Sequence, residues 1–171
     1  MRQEHKSPPD TKSKRRDRLI RERVHDPYKT RLKLKEPTVC PKCGAVWKSG
    51  RWAWQDQKPS DDAKDVTCQA CHRIADKYPA GELKIGGKFA KVHEQDIVGL
   101  VRNTEALEIK EHPLHRIMDI KITANGICVT TTDIHLPRRI GQALYNAYKG
   151  EFDFKYDEEG YFIRVDWRRD D

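Results

Sequence analysis

The sequence predicts an α+β protein, and three observations carry that prediction. Two C-x-x-C pairs, Cys40/Cys43 and Cys68/Cys71, stand with 24 residues between them. Residues 92 to 167 switch between the 3.6-residue period of amphipathic helices and the two-residue period of strands. Residues 1 to 36, by contrast, are crowded with Lys, Arg, Asp and Pro. The expected order is a disordered basic arm (1–36), a four-cysteine zinc ribbon (37–88) and an α+β domain (89–171). In that domain a small antiparallel sheet with two packed helices follows the order α-β-β-α-β-β.

The arm is defined by charge. Of the 34 Lys/Arg and 27 Asp/Glu in the 171 residues, 13 and 6 fall in residues 1–36, so the arm holds the entire net charge of +7 and the remainder balances at 21 of each. With so few apolar residues the arm cannot bury enough surface to fold alone. Its densest part contains Lys12, Lys14, Arg15, Arg16 and Arg18. Such a segment gains affinity for phosphate backbones by releasing counterions, which makes nucleic acid its expected partner. The plainer alternative is a solubilising tail.

The cysteines have the spacing of a structural zinc site: Zn2+ takes four thiolates in a closed tetrahedron, and two intervening residues let a tight turn aim both sulfurs of a pair at one ion. Gly44 follows Cys43 where the turn calls for positive φ. Disulfides are set aside because the first twenty residues contain no apolar signal-peptide core, and no run approaches a membrane span. A soluble, cytoplasmic protein is expected. Cys68-Gln69-Ala70-Cys71-His72 also matches the C-x-x-C-H haem-attachment pattern, which leaves Cys40 and Cys43 without a role. Cys128, in an apolar alternating stretch, reads as a buried thiol.

Trp47, Trp52 and Trp54 are interleaved with Lys48 and Arg51. Indoles beside cations stack on exposed bases; equally, tryptophans alternating along a small hairpin cover a metal site. Lys42, Trp47, Lys48, Arg51, Trp52 and Arg73 are the candidate nucleic-acid contacts of the ribbon. After Tyr78-Pro79-Ala80-Gly81, residues 82–85 are expected to close the ribbon as a strand.

Residues 92–111 read as one helix with Ile97, Leu100, Val101 and Leu107 on its apolar side, ending before Pro113. Met118, Ile120 and Ile122 alternate into Asn125-Gly126, a type I′ dipeptide, and Ile127 and Val129 alternate out. Asp133 is the expected N-cap of a helix whose stripe is Leu136, Ile140, Ala143, Leu144, Ala147 and Tyr148, with Gly150 at its C-terminal end. Phe152, Phe154 and Tyr156, then Tyr161, Ile163, Val165 and Trp167, form a last hairpin around Asp157–Gly160.

The Cys40-Pro41-Lys42-Cys43-Gly44 knuckle, the Cys68/Cys71 pair followed by His72-Arg73, and the β-α-β-β unit from Val129 to Val165 together resemble one family. It is the large-ribosomal-subunit export adaptor family, named after nonsense-mediated mRNA decay, and within it the short prokaryotic relatives. The resemblance spans roughly residues 38–167. It implies a zinc-binding region ahead of an α/β domain, docking on the large ribosomal subunit and its RNA, and it carries over Cys40, Cys43, Cys68 and Cys71 as metal ligands. Members of that family have further C-x-x-C pairs where this sequence has one set of two, so a second zinc is not carried over; they are also longer, with transport signals in eukaryotes that 171 residues are not expected to hold, so nuclear shuttling is not carried over either.

The expected function is that of a zinc-ribbon RNA-binding protein associated with the ribosome, in assembly, quality control or dormancy, without catalysis and without a small-molecule substrate. A protein-interaction adaptor with a structural zinc is the alternative. A metal-dependent nuclease is the enzymatic one: His112, His115, Asp133 and His135 are polar groups of suitable type, but no zinc-peptidase motif, phosphate-cradling glycine loop or nucleophile elbow accompanies them.

Overall fold

A computed structural model describes residues 26–29, 33–56 and 59–171. Lys12, Lys14, Arg15, Arg16 and Arg18 lie outside them. The described chain is a mixed α+β structure with two sheets and four helices. The first sheet has the order β3-β2-β1-β4, from β1 (Thr38–Val39), β2 (Val46–Lys48), β3 (Arg51–Ala53) and β4 (Lys64–Asp65). Strands β2 and β3 pair Trp47 with Trp52 and close through Ser49 and Gly50, both at positive φ, as a two-residue primed turn requires. Helix α1 (Gln69–Asp76) follows.

The sequence does not announce α1. Its only buried residues are Ala70 and Arg73, so there is no apolar stripe to read. Instead it starts on Cys68, whose sulfur accepts from the Cys71 N–H, and stops at Lys77, which takes a left-handed conformation. The second cysteine pair therefore sits on a helix start, not in the second knuckle of a simple ribbon.

The second sheet corrects two expectations. Strand β5 (Gly81–Gly86) does not close the ribbon; it is the central strand of a five-stranded sheet ordered β6-β7-β5-β9-β8. It runs antiparallel to β7 (Gly126–Thr131) but parallel to β9 (Ile163–Arg168), so the sheet is mixed. Strands β6 (Ile117–Thr123) and β8 (Glu151–Tyr156) form its edges. The physical reason lies in burial. Leu83 and Ile85 alternate with Glu82 and Lys84, a pattern that suits either sheet, but only the larger sheet offers enough apolar surface to cover both side chains.

The helix expected over residues 92–111 is α3 (Glu94–Glu111), and a short helix that the pattern does not reveal, α2 (Lys88–Val92), precedes it across His93, whose ring stacks on Phe89. In α3 the inward seam is Ile97, Val101 and Glu108, spaced i, i+4 and i+11. Leu107 falls outside this seam and is 68% exposed, against expectation. Helix α4 (Leu136–Tyr148) packs Leu136, Ile140 and Leu144 onto the sheet as expected, and Gly141 lets it approach, since a Cβ there would stand 2.4 Å from the Phe152 ring. The N-cap is His135, not Asp133 as expected; Asp133 stands two residues earlier and reaches in to accept from the His135 and Leu136 N–H groups.

The β6–β7 connection departs from a type I′ Asn-Gly turn. Thr123 faces Gly126, so Ala124 and Asn125 form the connection and neither has positive φ. Gly126 opens the returning strand at φ 136, where a Cβ would lie 2.1 Å from the Ile85 carbonyl oxygen. A bulge between Ile117 and Asp119 shifts the pleat, so Ile117 and Ile120 face the core together; Ile122, on the same face as Ile120 but near the end of this edge strand, is exposed. No helix among the described residues is long and apolar enough to cross a membrane.

Candidate metal centre

The site grows from two local structures. At Cys40–Ala45 the chain turns back on itself: Gly44 N–H donates to the Cys40 carbonyl and Cys40 N–H to the Ala45 carbonyl, with Gly44 at φ 79. At Cys68–Cys71 the first turn of α1 presents two sulfurs on one side. Cys68 N–H donates to the Cys40 sulfur at 3.3 Å, tying the two pairs together.

All four Sγ atoms lie within 4.8 Å of one another, and Cys43 and Cys68 are 3.8 Å apart. Ligands at a Zn–S distance of about 2.3 Å in a tetrahedron are separated by about 3.8 Å. The cluster thus fits a tetrahedral metal ion; the four thiols are free, not paired in disulfides. Chemistry agrees with geometry. Burial pushes the Cys68 and Cys71 thiols up, because crowded thiolates repel and lack water. Burial opposes ionisation of Cys40 as well, but backbone N–H groups of Cys68, Cys43 and Lys42 outweigh it and bring that thiol down to about 7. A bound dication is what allows all four to ionise together.

One contact reaches in from the other half of the chain. The Arg116 guanidinium donates to Cys71 Sγ at 3.4 Å and Cys68 Sγ at 3.6 Å, while its Nε donates to the Pro113 carbonyl. Burial alone would push its pKa down, but the sulfurs hold it above its ordinary value. Leu114 packs against the same cluster. Arg116 would offset the net negative charge of four thiolates around a dication. Arg116→Leu is therefore expected to weaken metal binding about 10–100-fold, measured by chelator competition, with Arg116→Lys in between because an ammonium lacks the forked geometry. Unchanged affinity in Arg116→Leu would mean that the contact contributes nothing.

Sequence reasoning had no route to Arg116, which lies 45 residues from Cys71. It did find the four cysteines. The nucleic-acid candidates divide. Lys42, Lys48 and Arg51 are exposed, the last two facing each other across the β2–β3 hairpin. Trp52 is only 8% exposed and packs edge-on against Trp47 beside the cysteines, so it covers the site and is not a stacking platform. Trp47 is half-buried. Trp54 is more exposed, and its indole N–H donates to the Ile109 carbonyl at the end of α3.

Arg73 must be withdrawn as a nucleic-acid contact. It is 1% exposed and held by Asp26 at 2.6 Å and by the Tyr78 carbonyl, with the Tyr28 ring 4.4 Å from its guanidinium carbon. The same contacts correct the extent of the arm: Asp26 and Tyr28 dock on α1, where Tyr28 also donates to Asp76. Folding spends this cation on an internal partner that composition could not identify. No protein-family model matches the chain, and neither a curated protein nor a solved structure matches it.

Proposed function

We propose that this chain is a zinc-stabilised RNA-binding protein that associates with the ribosome, through the large subunit and its RNA, in assembly, quality control or dormancy. The observation that carries the reading is the placement of charge. The whole net charge of +7 sits in residues 1–36, and Lys42, Lys48 and Arg51 are exposed on the module that those residues precede. The ribosomal target comes from the resemblance in the knuckle and the β-α-β-β unit.

Zinc suits the donor set, since four soft thiolates select zinc or iron–sulfur chemistry and the separation of the sulfurs suits a single ion. With four thiolates in place no position remains for water, so the ion holds Lys42 and the β2–β3 hairpin in shape and performs no reaction. Basic side chains on that frame contact phosphates, and the arm adds affinity by counterion release.

The test is sedimentation of lysate on sucrose gradients at low and high salt, followed by detection of this protein. Comigration with large subunits at low salt is expected, lost as salt rises and weakened by deleting residues 1–25. A protein that stays at the top of the gradient at every salt concentration rules the ribosomal reading out. One observation favours the adaptor reading as the second choice: Leu107 and Val92 expose apolar surface on α2 and α3. Salt-insensitive capture of a partner protein, without RNA, would support it.

A further inference from the structure

A second group of donors lies outside the cysteine centre. Its centre is His115. The ring Nδ1 is 2.9 Å from Glu108 Oε1, and the ring Nε2 is 3.6 Å from Asp133 Oδ2. The three side chains are 17%, 6% and 11% exposed for His115, Glu108 and Asp133. The His112 ring stacks on His115 at 4.6 Å, and the His135 ring lies 5.5 Å from it. Arg139 holds the other oxygen of Glu108 at 3.2 Å.

The two contacts of His115 differ in kind. At 2.9 Å the Glu108 contact is a hydrogen bond, in which Nδ1–H donates to the carboxylate. At 3.6 Å the Asp133 contact is too long for one. It is, however, close to the separation of two donors on one ion, since ligands at about 2.1 Å in a tetrahedron stand about 3.4 Å apart. Glu108 also fixes the tautomer. With the proton on Nδ1, the Nε2 lone pair faces Asp133, the arrangement that metal-ligating histidines adopt when a carboxylate orients them from behind.

Asp133 supplies an independent observation. Its Oδ2 caps α4, while its Oδ1 is buried and has no hydrogen-bond partner. A buried carboxylate oxygen in that condition is uncommon and calls for a compensating charge.

We propose that His115 Nε2 and the Asp133 carboxylate bind a divalent transition-metal ion, with the exposed His135 turning in as a third donor and Glu108 as the positioning residue. Among the described residues only the four cysteines bring three donors within 4.8 Å; here two donors are set and the third reaches them by side-chain rotation. Imidazole and carboxylate donors suit Zn2+, Co2+ or Ni2+. Three protein donors leave a coordination position for water or a ligand, which the cysteine centre does not.

The test loads the full-length protein with one equivalent of Zn2+ for the cysteines and then titrates Co2+, followed by visible absorption and calorimetry. One further equivalent is expected, with weak d–d bands and no thiolate-to-cobalt charge-transfer band. Asp133→Asn keeps a capping side chain and is expected to lose at least tenfold in affinity, as are His115→Gln and the surface variant His135→Gln. Glu108→Gln is expected to lose about tenfold. His72→Gln, at an exposed histidine outside the group, should bind as the parent does. Absence of the second equivalent overturns the proposal and leaves His115 as the centre of an ion-pair network. So does a second equivalent that Asp133→Asn and His135→Gln leave unchanged.

Discussion

Cys43→Ser is expected to unfold the N-terminal module and leave the five-stranded sheet standing. Apparent zinc-binding energies of about 10–16 kcal/mol in small structural sites are shared by four ligands. Loss of one thiolate then removes about 2.5–4 kcal/mol, or roughly 60- to 1,000-fold in metal affinity. The module has little else to hold it: its buried side chains around the cysteines are Ala45, Trp52 and Ala70. The buried residues of the larger core come from residues 83–167 and include none of the four cysteines. Native-state hydrogen exchange checks this residue by residue. Protection should vanish across 38–76 and persist across Gly81–Gly86, because β5 pairs with β7 and β9 and not with the cysteine module. Loss of protection in β5 together with α1 would show that the Arg116, Leu114 and Trp54 contacts fuse the two halves into one cooperative unit.

Trp167→Ala is expected to be the most damaging single change in that larger core, at about 3–5 kcal/mol. The side chain is buried beside Ile85 of the neighbouring strand and edge-on to Phe89, and its indole N–H donates to the Lys149 carbonyl at 2.8 Å where α4 ends. Truncation opens a cavity and orphans that carbonyl, two costs that add. Urea unfolding followed by circular dichroism measures the loss. Leu107→Ala is the matched comparison: the sequence places Leu107 on the apolar stripe of a helix, but its exposure limits the expected change to about 0.5 kcal/mol. Equal losses in the two variants would contradict the seam of Ile97, Val101 and Glu108 described for α3.

What was legible in the chain was local. The spacing of Cys40, Cys43, Cys68 and Cys71 fits one ion because two intervening residues fix how two sulfurs point, wherever the pair sits in the fold. Alternation at Ile127 and Val129 and from Tyr161 to Trp167 named two strands, and the 3.6-residue period named α4, because each signal depends on a few neighbouring residues. The part Asp133 plays at the start of α4 is of the same kind. Helix α1 escaped notice because a sulfur cap and two buried positions replace the apolar stripe that periodicity detects.

The tertiary structure decided what depends on distant partners. Leu83 and Ile85 pattern identically for either sheet, and only the available apolar surface places β5 in the larger one, turning an antiparallel sheet into a mixed one. Arg73 is a cation in the sequence and an internal ion-pair partner in the fold, since Asp26 and Tyr28 reach it from 47 and 45 residues away. Arg116 meets the cysteines, and His115 stands between Glu108 and Asp133, for the same reason. Side-chain chemistry is written in the sequence, whereas the neighbour that neutralises, orients or hides a charge is chosen by how the chain packs.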